Sequence, residues 1–230
     1  MILNKNTVHV WVVDASGFSL PDFLSASEKN RFNKFYFSID KQIFYQSHNA
    51  LRYILSQYLS KKPHEIEFGF TSYGKPYLKN QNLYFNLSHT TSMAVIALTE
   101  DAEIGVDIEN LNRDMEYEDL AKRFFCETEY LKLVKTPPEE KSHAFFNCWT
   151  RKEAFIKAVG EGLSYPLNDF EVTMLPDEPV QINHIRHNLD IITQWRFDSR
   201  NLDEYVIATA VKRHNSRFVY QNFNELVQFG

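Results

Sequence analysis

The chain has 230 residues, 43% apolar and 24% charged, the make-up of an ordinary soluble globular protein with room for one large domain or two small ones. Its net charge of −5 excludes a protein that coats nucleic acid by neutralising phosphates, while leaving room for a local basic pocket that takes a small anion. No apolar run approaches the roughly eighteen residues that span a bilayer, and MILNKNTVHVWVVD lacks the features of a signal peptide, so the expectation is a cytoplasmic protein with no membrane partner.

In chain order, residues 7–13 (TVHVWVV) are β-branched and aromatic and predict an opening strand. From Ser25 to Leu59 the pattern is helical, in two segments, with Ser27 and Asp40 as expected N-caps and no capping box at Ser25. Lys61-Lys62-Pro63 ends the second segment. IEFGF (66–70), the turn SYGKP (72–76) and the strand LYFNLS (83–88) follow. MAVIAL (93–98) and IGVDIE (104–109) read as two strands of a hairpin joined by TEDAE. Helical stretches are expected over about 116–133 and 139–159, and FEVTML, INHI, IITQWRF and YVIATAVK read as strands. Cys126 and Cys148 form no C-x-x-C and are expected to be reduced core residues.

This order gives an α+β protein of two halves, each a helical section packed on a small sheet, with the boundary near 99–103: residues 1–101 and 102–230.

Residues two apart on a strand share a face, so Asp107 and Glu109 look one way while Val106 and Ile108 look the other. In CWTRKEAFIKAVGEGL (148–163), steps of about 100° per residue gather Phe145, Cys148, Trp149, Phe155, Ile156 and Val159 on one arc. Lys152 falls near the centre of that arc, where a charge is costly without a partner. Glu153 and Lys157 lie on its flank, one turn apart. Alone they make an ordinary surface pair. A third carboxylate from this helix meeting Asp107 and Glu109 makes a set of hard oxygen ligands that suits magnesium, with Lys157 placed to meet a phosphate. Adjacent Ser88 and His89 point to opposite faces of a strand and are no nucleophile–base dyad. They read either as a turn cap or as an anion-binding end. Lys75 sits in a Gly-Lys-Pro turn.

GKPYL (74–78), FNLSHT (85–90), IGVDIE (104–109), AKRFFCETEY (121–130) and WTRKEAFIKAVGEGLSYPL (149–167), in this order and spacing, resemble the 4′-phosphopantetheinyl transferases of the long, surfactin-type class. The resemblance implies two similar α+β halves related by a pseudo-two-fold, with coenzyme A in the cleft between them. It implies transfer of the phosphopantetheine arm to a serine of an apo acyl or peptidyl carrier protein, releasing adenosine 3′,5′-bisphosphate. It places Mg2+, with Mn2+ as an alternative, on Asp107, Glu109 and Glu153. Glu153 would draw the serine proton, Lys157 would stabilise the leaving bisphosphate, and Lys75, Ser88 and His89 would contact the nucleotide. Lys152 would face inward against an acid near Asp107 or Glu109. A monomer is expected, since the short, trimeric class has about half this length.

The chain departs from the family in one run: many relatives carry a D-R-x-R-F-like segment whose basic residues help hold the 3′-phosphate, and here it reads Asp40-Lys41-Gln42-Ile43-Phe44. Lys41, His48 and Arg52 are the candidates to compensate. The carrier would meet exposed apolar residues within 123–133, where Phe124, Phe125 and Tyr130 are divided between that role and the core. The competing classes are a non-catalytic coenzyme A-binding regulator and a metal-dependent phosphohydrolase.

Overall fold

Alternating burial along each strand sorts the molecule into four layers. The computed structural model describes residues 1–16, 18–185 and 189–228. Strands β1 (Thr7–Asp14), β4 (Leu83–His89) and β5 (Met93–Glu100) form a sheet in which β5 pairs antiparallel with both β1 and β4. Helix α1 (Ala26–Phe32) leads into the 22-residue α2 (Ser38–Leu59), and two short strands, β2 (Phe68–Phe70) and β3 (Pro76–Leu78), pair before β4 begins. Trp11, Val13, Phe85, Ala94, Ile96 and Leu98 pack with Ala50, Leu51, Ile54 and Leu55 of α2.

The second half starts with β6 (Ile104–Asn110), followed by α3 (Tyr117–Phe124), α4 (Glu127–Lys135) and the 22-residue α5 (Pro138–Val159). The short pair β7 (Phe170–Val172) and β8 (Ile182–Ile185) precedes β9 (Arg196–Leu202) and β10 (Tyr205–Val211), and the second sheet runs β6-β10-β9. Val206, Ala208 and Ala210 pack in the α5 core with Phe155 and Ile156. The opposite faces of the two sheets meet: Val8, Val10, Val95 and Ala97 pack with Ile104, Val106, Ile108 and Ile207. The layers therefore run α2, first sheet, second sheet, α5, an α+β architecture of two helix-on-sheet halves. Each fully buried Ile, Val or Phe in these seams is worth roughly 1.5–3 kcal/mol.

Several expectations are corrected here. MAVIAL and IGVDIE are strands, but not a hairpin: β1 and β4 occupy the edges of β5, and β6 pairs instead with β10. IITQ belongs to a 3-10 segment (Leu189–Gln194), so only the later part of IITQWRF is strand. Ser25, not Ser27, caps α1. Its hydroxyl accepts from Glu28 N at 3.3 Å, and the Glu28 carboxylate accepts from Ser25 N at 2.8 Å, a capping box that the i,i+3 spacing allows. Phe37 rather than Asp40 holds the N-cap position of α2. The last elements, β11 (Arg217–Asn222) and α6 (Phe223–Gln228), return to the first half, where β11 pairs parallel with β1. Residues after 216 thus complete the sheet of the N-terminal half.

Candidate functional site

The alternation that buries Val106 and Ile108 between the sheets turns Gly105, Asp107 and Glu109 toward α5. Glycine is what lets the helix sit low on this strand. A Cβ at Gly105 would fall inside van der Waals contact of the Ala154 carbonyl oxygen and the Ala158 backbone nitrogen. Gly105→Ala is therefore expected to cost about 1–3 kcal/mol through overpacking that backbone cannot relieve by a rotamer change, read as a lowered Tm and urea midpoint. An unchanged midpoint would show that α5 does not rest on β6 in this way.

At that low position α5 brings Lys157 onto Asp107. Lys157 Nζ lies 2.6 Å from Asp107 Oδ1 and donates to Ser88 Oγ at 3.0 Å, while Ser88 Oγ donates to the same Asp107 oxygen at 2.8 Å. Asp107 is buried, and its second oxygen, Oδ2, has no hydrogen-bond partner. Glu109, half-buried, accepts from Arg113 Nη1 at 2.6 Å. Burial pushes the Glu109 carboxyl up, with the Asp107 charge adding to it and Arg113 opposing. Glu153 is pushed up to about 7, by desolvation first, then by Asp107, with Glu109 adding and Lys157 opposing. Among the described residues no three His, Cys, Asp or Glu side chains are already gathered in ligating geometry. The three carboxylates nonetheless act on one another. Both the orphaned Asp107 Oδ2 and the raised Glu153 are conditions that a hard divalent cation relieves, so the residues fit such an ion.

His89, at the end of β4, follows Ser88 and opens on a cavity of 620 Å3 between α1, α2, β2 and β4. Arg31, His48, His64 and Lys79 also line it, with Gly74 from the turn before β3 and Pro76 at its start. The Arg31 guanidinium lies 5.3 Å from the Phe44 ring centroid, and Phe44 stacks on His48 at 3.9 Å. His48 Nδ1 is 3.0 Å from the Phe44 carbonyl oxygen, where it can only donate, so its proton sits on that nitrogen in the neutral ring. Burial holds His48 down at about 4, and burial with the nearby Lys157 and Arg31 charges lowers His89. Glu28 and Glu67 line the cavity as well, Glu28 paired with Arg52, so the positive charge left to meet an anion is that of Arg31 and Lys79.

Of the remaining sequence candidates, Arg52 also lines this cavity, whereas Lys41 and Lys75 do not. Arg52 is buried and committed internally: Nε and Nη2 reach Glu28 at 2.8 and 2.7 Å, and Nη1 donates to the Pro63 and Ile66 carbonyls, each at 3.0 Å. Lys41 is half-buried at the start of α2, its ammonium 5.8 Å from the Phe32 ring. Ile43 is a core residue at 5% exposure, so a basic side chain there would not reach the cavity without rearrangement. Lys75 Nζ donates to Ile104 O at 3.0 Å and Ala158 O at 2.8 Å, and burial lowers it to about 8.

Lys152 is buried as expected, but its acid is Glu129 of α4, at 2.8 Å, rather than a carboxylate near Asp107 or Glu109. Its ammonium also donates to Leu167 O and Phe170 O, at 2.7 and 2.6 Å. The reason is angular. One residue is about 100° of helix, so the side that carries Glu153 and Lys157 to β6 turns Lys152 toward α4 and β7. Sequence reading missed Arg31, Asn86 and Glu129. Glu129 had one signal, an acid four residues before Leu133 within an apolar helical face, and Asn86 had another, a lone amide inside an apolar strand. Of the apolar residues in 123–133, Phe125 is core and Phe124 and Tyr130 pack partly against it, while Leu131 is 46% exposed.

Two family models match the chain: the 4′-phosphopantetheinyl transferase superfamily over residues 103–210, and the 4′-phosphopantetheinyl transferase N-terminal family over 11–101. The 4′-phosphopantetheinyl transferase HetI of Nostoc is 37% identical over 191 residues, 79% of this chain and 80% of its own. A putative 4′-phosphopantetheinyl transferase of Synechocystis is 30% identical over 95% of this chain and 93% of its own. The 4′-phosphopantetheinyl transferase Sfp of Bacillus subtilis is 32% identical over 70% of each. With both halves matched by family models and relatives aligned over most of their own lengths, the chain belongs to the 4′-phosphopantetheinyl transferase superfamily.

Proposed function

We propose that this protein transfers the 4′-phosphopantetheine arm of coenzyme A to a serine of an apo acyl or peptidyl carrier protein, with Mg2+ or Mn2+ held by Asp107, Glu109 and Glu153. One observation carries the reading. Three mutually acting carboxylates and Lys157 from one half meet Ser88 from the other, beside a cavity of 620 Å3 lined by Arg31 and Lys79. Membership of the family supports it.

A divalent ion at the carboxylates supplies neutralisation of the pyrophosphate charge. The new bond joins the serine oxygen to the phosphorus that carries the pantetheine arm. The bond broken runs from that phosphorus to the bridging oxygen, which leaves on adenosine 3′,5′-bisphosphate. Glu153, raised to about 7 in the metal-free protein and kept ionised by a bound divalent ion, is the group proposed to take the serine proton. Lys157 offers its ammonium to the charge growing on the leaving phosphate, and Ser88 keeps Asp107 oriented. In this reading the nucleotide occupies the cavity, where Arg31 and Lys79 supply the positive charge that the Ile43 position does not, and His48 and His89 line it as neutral rings. A cytoplasmic monomer is part of the same proposal.

The test is the mass of an apo carrier protein incubated with this protein, coenzyme A and Mg2+. A gain of one phosphopantetheine is the expected result. Hydrolysis of coenzyme A with no carrier modification would make the protein a phosphohydrolase, and binding without turnover would make it a regulator.

A second expectation concerns stability. Because the folded-state Glu153 is raised from 4.5 to about 7, the native state binds more protons than the unfolded chain between those values. Without divalent ions this group's contribution is therefore fully present below about pH 4.5 and lost as pH rises through about 7. Mg2+, which binds the ionised carboxylate, should raise Tm more at pH 7.5 than at pH 5. In Glu153→Gln that pH dependence of the Mg2+ effect should shrink. An equal Mg2+ effect at both pH values would contradict the assignment.

A further inference from the structure

Strand β6 has one edge on β10 and, among the described residues, no strand partner on the other. On an edge of this kind backbone donors and acceptors need partners. Here two come from side chains of the other half. Asn86 Oδ1 accepts from Val106 N at 2.9 Å, and Lys75 Nζ donates to Ile104 O at 3.0 Å. Asn86 is buried, at 6% exposure, and Lys75 makes a second bond to Ala158 O, one residue beyond Lys157 on α5. These bonds bracket the catalytic pair: Val106 precedes Asp107, and Ala158 follows Lys157.

Asn86 lines the cavity assigned to the nucleotide, and so do Gly74 and Pro76 on either side of Lys75, while the Lys75 side chain itself turns to a neighbouring cavity shared with Ala158 and Gly160. We propose that Lys75 and Asn86 are positioning residues, a side-chain clamp by which the nucleotide-binding half fixes the free edge of β6 and the end of α5, and so sets Asp107 against Lys157 and Ser88. Lys75 then acts on the reaction through backbone carbonyls of the other half and not as a ligand of the nucleotide. The inference rests on the proposed coenzyme A reading and deepens it, because the loop and strand that touch the nucleotide are the ones that hold the carboxylate strand.

A ligand role and a positioning role give opposite kinetic signatures. In Lys75→Met and Asn86→Ala, the clamp predicts that kcat for carrier modification falls about 10- to 100-fold, as for other outer-shell partners of metal ligands, with KM for coenzyme A within about twofold. Lys75→Arg, which keeps a donor at this place, should recover most of the lost kcat. Rates are taken per folded molecule, at a temperature well below each variant's Tm. Should Lys75→Met not fold, Asn86→Ala and Lys75→Arg carry the comparison. A second readout is independent of turnover: Mn2+ affinity, measured on wild type and the same variants, should weaken about tenfold in Lys75→Met. A rise in KM for coenzyme A with kcat preserved would overturn the clamp and make Lys75 a substrate ligand. Unchanged kcat and unchanged Mn2+ affinity would overturn it as well. If wild type modifies no carrier, the transfer reading falls by itself, and the Mn2+ comparison still decides the clamp.

Discussion

Glu153→Gln and Asp107→Ala are expected to lower carrier modification by roughly three orders of magnitude in kcat, with circular dichroism and Tm showing a folded chain. The two variants fail for different reasons. Glutamine at 153 keeps the size of the side chain but removes the proton acceptor that desolvation and Asp107 hold at about 7. Alanine at 107 removes the oxygen that takes both Lys157, at 2.6 Å, and Ser88, at 2.8 Å, together with the buried Oδ2 that has no partner in the protein. Because Asp107 raises Glu153, Asp107→Ala should also lower the pKa of Glu153 in the metal-free protein, read by titration of that carboxyl. Quenched-flow or mass measurements of modified carrier read the rate. Turnover near wild type in either variant would remove these residues from the site.

Lys152→Met is expected to be the most damaging single change to stability, about 3–5 kcal/mol. The pair it breaks is fully enclosed, with side-chain exposures of 0% for Lys152 and 2% for Glu129, so no water replaces the lost ammonium. Glu129 would be left without a counter-charge, held by Cys126 N at 2.9 Å, Val172 N at 2.8 Å and the neighbouring Cys126 and Cys148 thiols. The orphaned carbonyls of Leu167 and Phe170 add to the loss. This cluster ties α4, α5 and β7 together, behind the face of α5 that carries Glu153 and Lys157. A double-mutant cycle with Glu129→Gln should show the double variant losing less than the sum of the singles, because the two residues share one interaction. Additive losses in urea denaturation would show that the pair is not coupled.

Period-two and period-3.6 patterns carried much of this protein openly. The same-face placement of Asp107 and Glu109, the opening strand, both 22-residue helices and the inward turn of Lys152 follow from residue spacing alone. Pairing partners were not legible. Two adjacent strands with a short link look like a hairpin, and only the prior occupation of both edges of β5 by β1 and β4 sends β6 to another sheet. The partner of Lys152 was hidden for a related reason: spacing gives the direction of a side chain, and which acid waits there depends on the packing of α4 against α5. Lys75 reads from sequence as a solvated turn residue or a ligand, and its two carbonyl acceptors come from segments 29 and 83 residues away. Arg52 shows the same limit, since its commitment to Glu28 depends on how α1 folds back on α2.

If Asp107, Glu109 and Glu153 hold one divalent ion against the pyrophosphate of coenzyme A, electron paramagnetic resonance of Mn2+ with this protein and coenzyme A reads it as hyperfine coupling between the bound ion and phosphorus. One bound Mn2+ per chain, coupled to phosphorus in wild type and lost in Glu153→Gln, is the expected result. Bound Mn2+ without phosphorus coupling, or a spectrum that Glu153→Gln leaves unchanged, would contradict it.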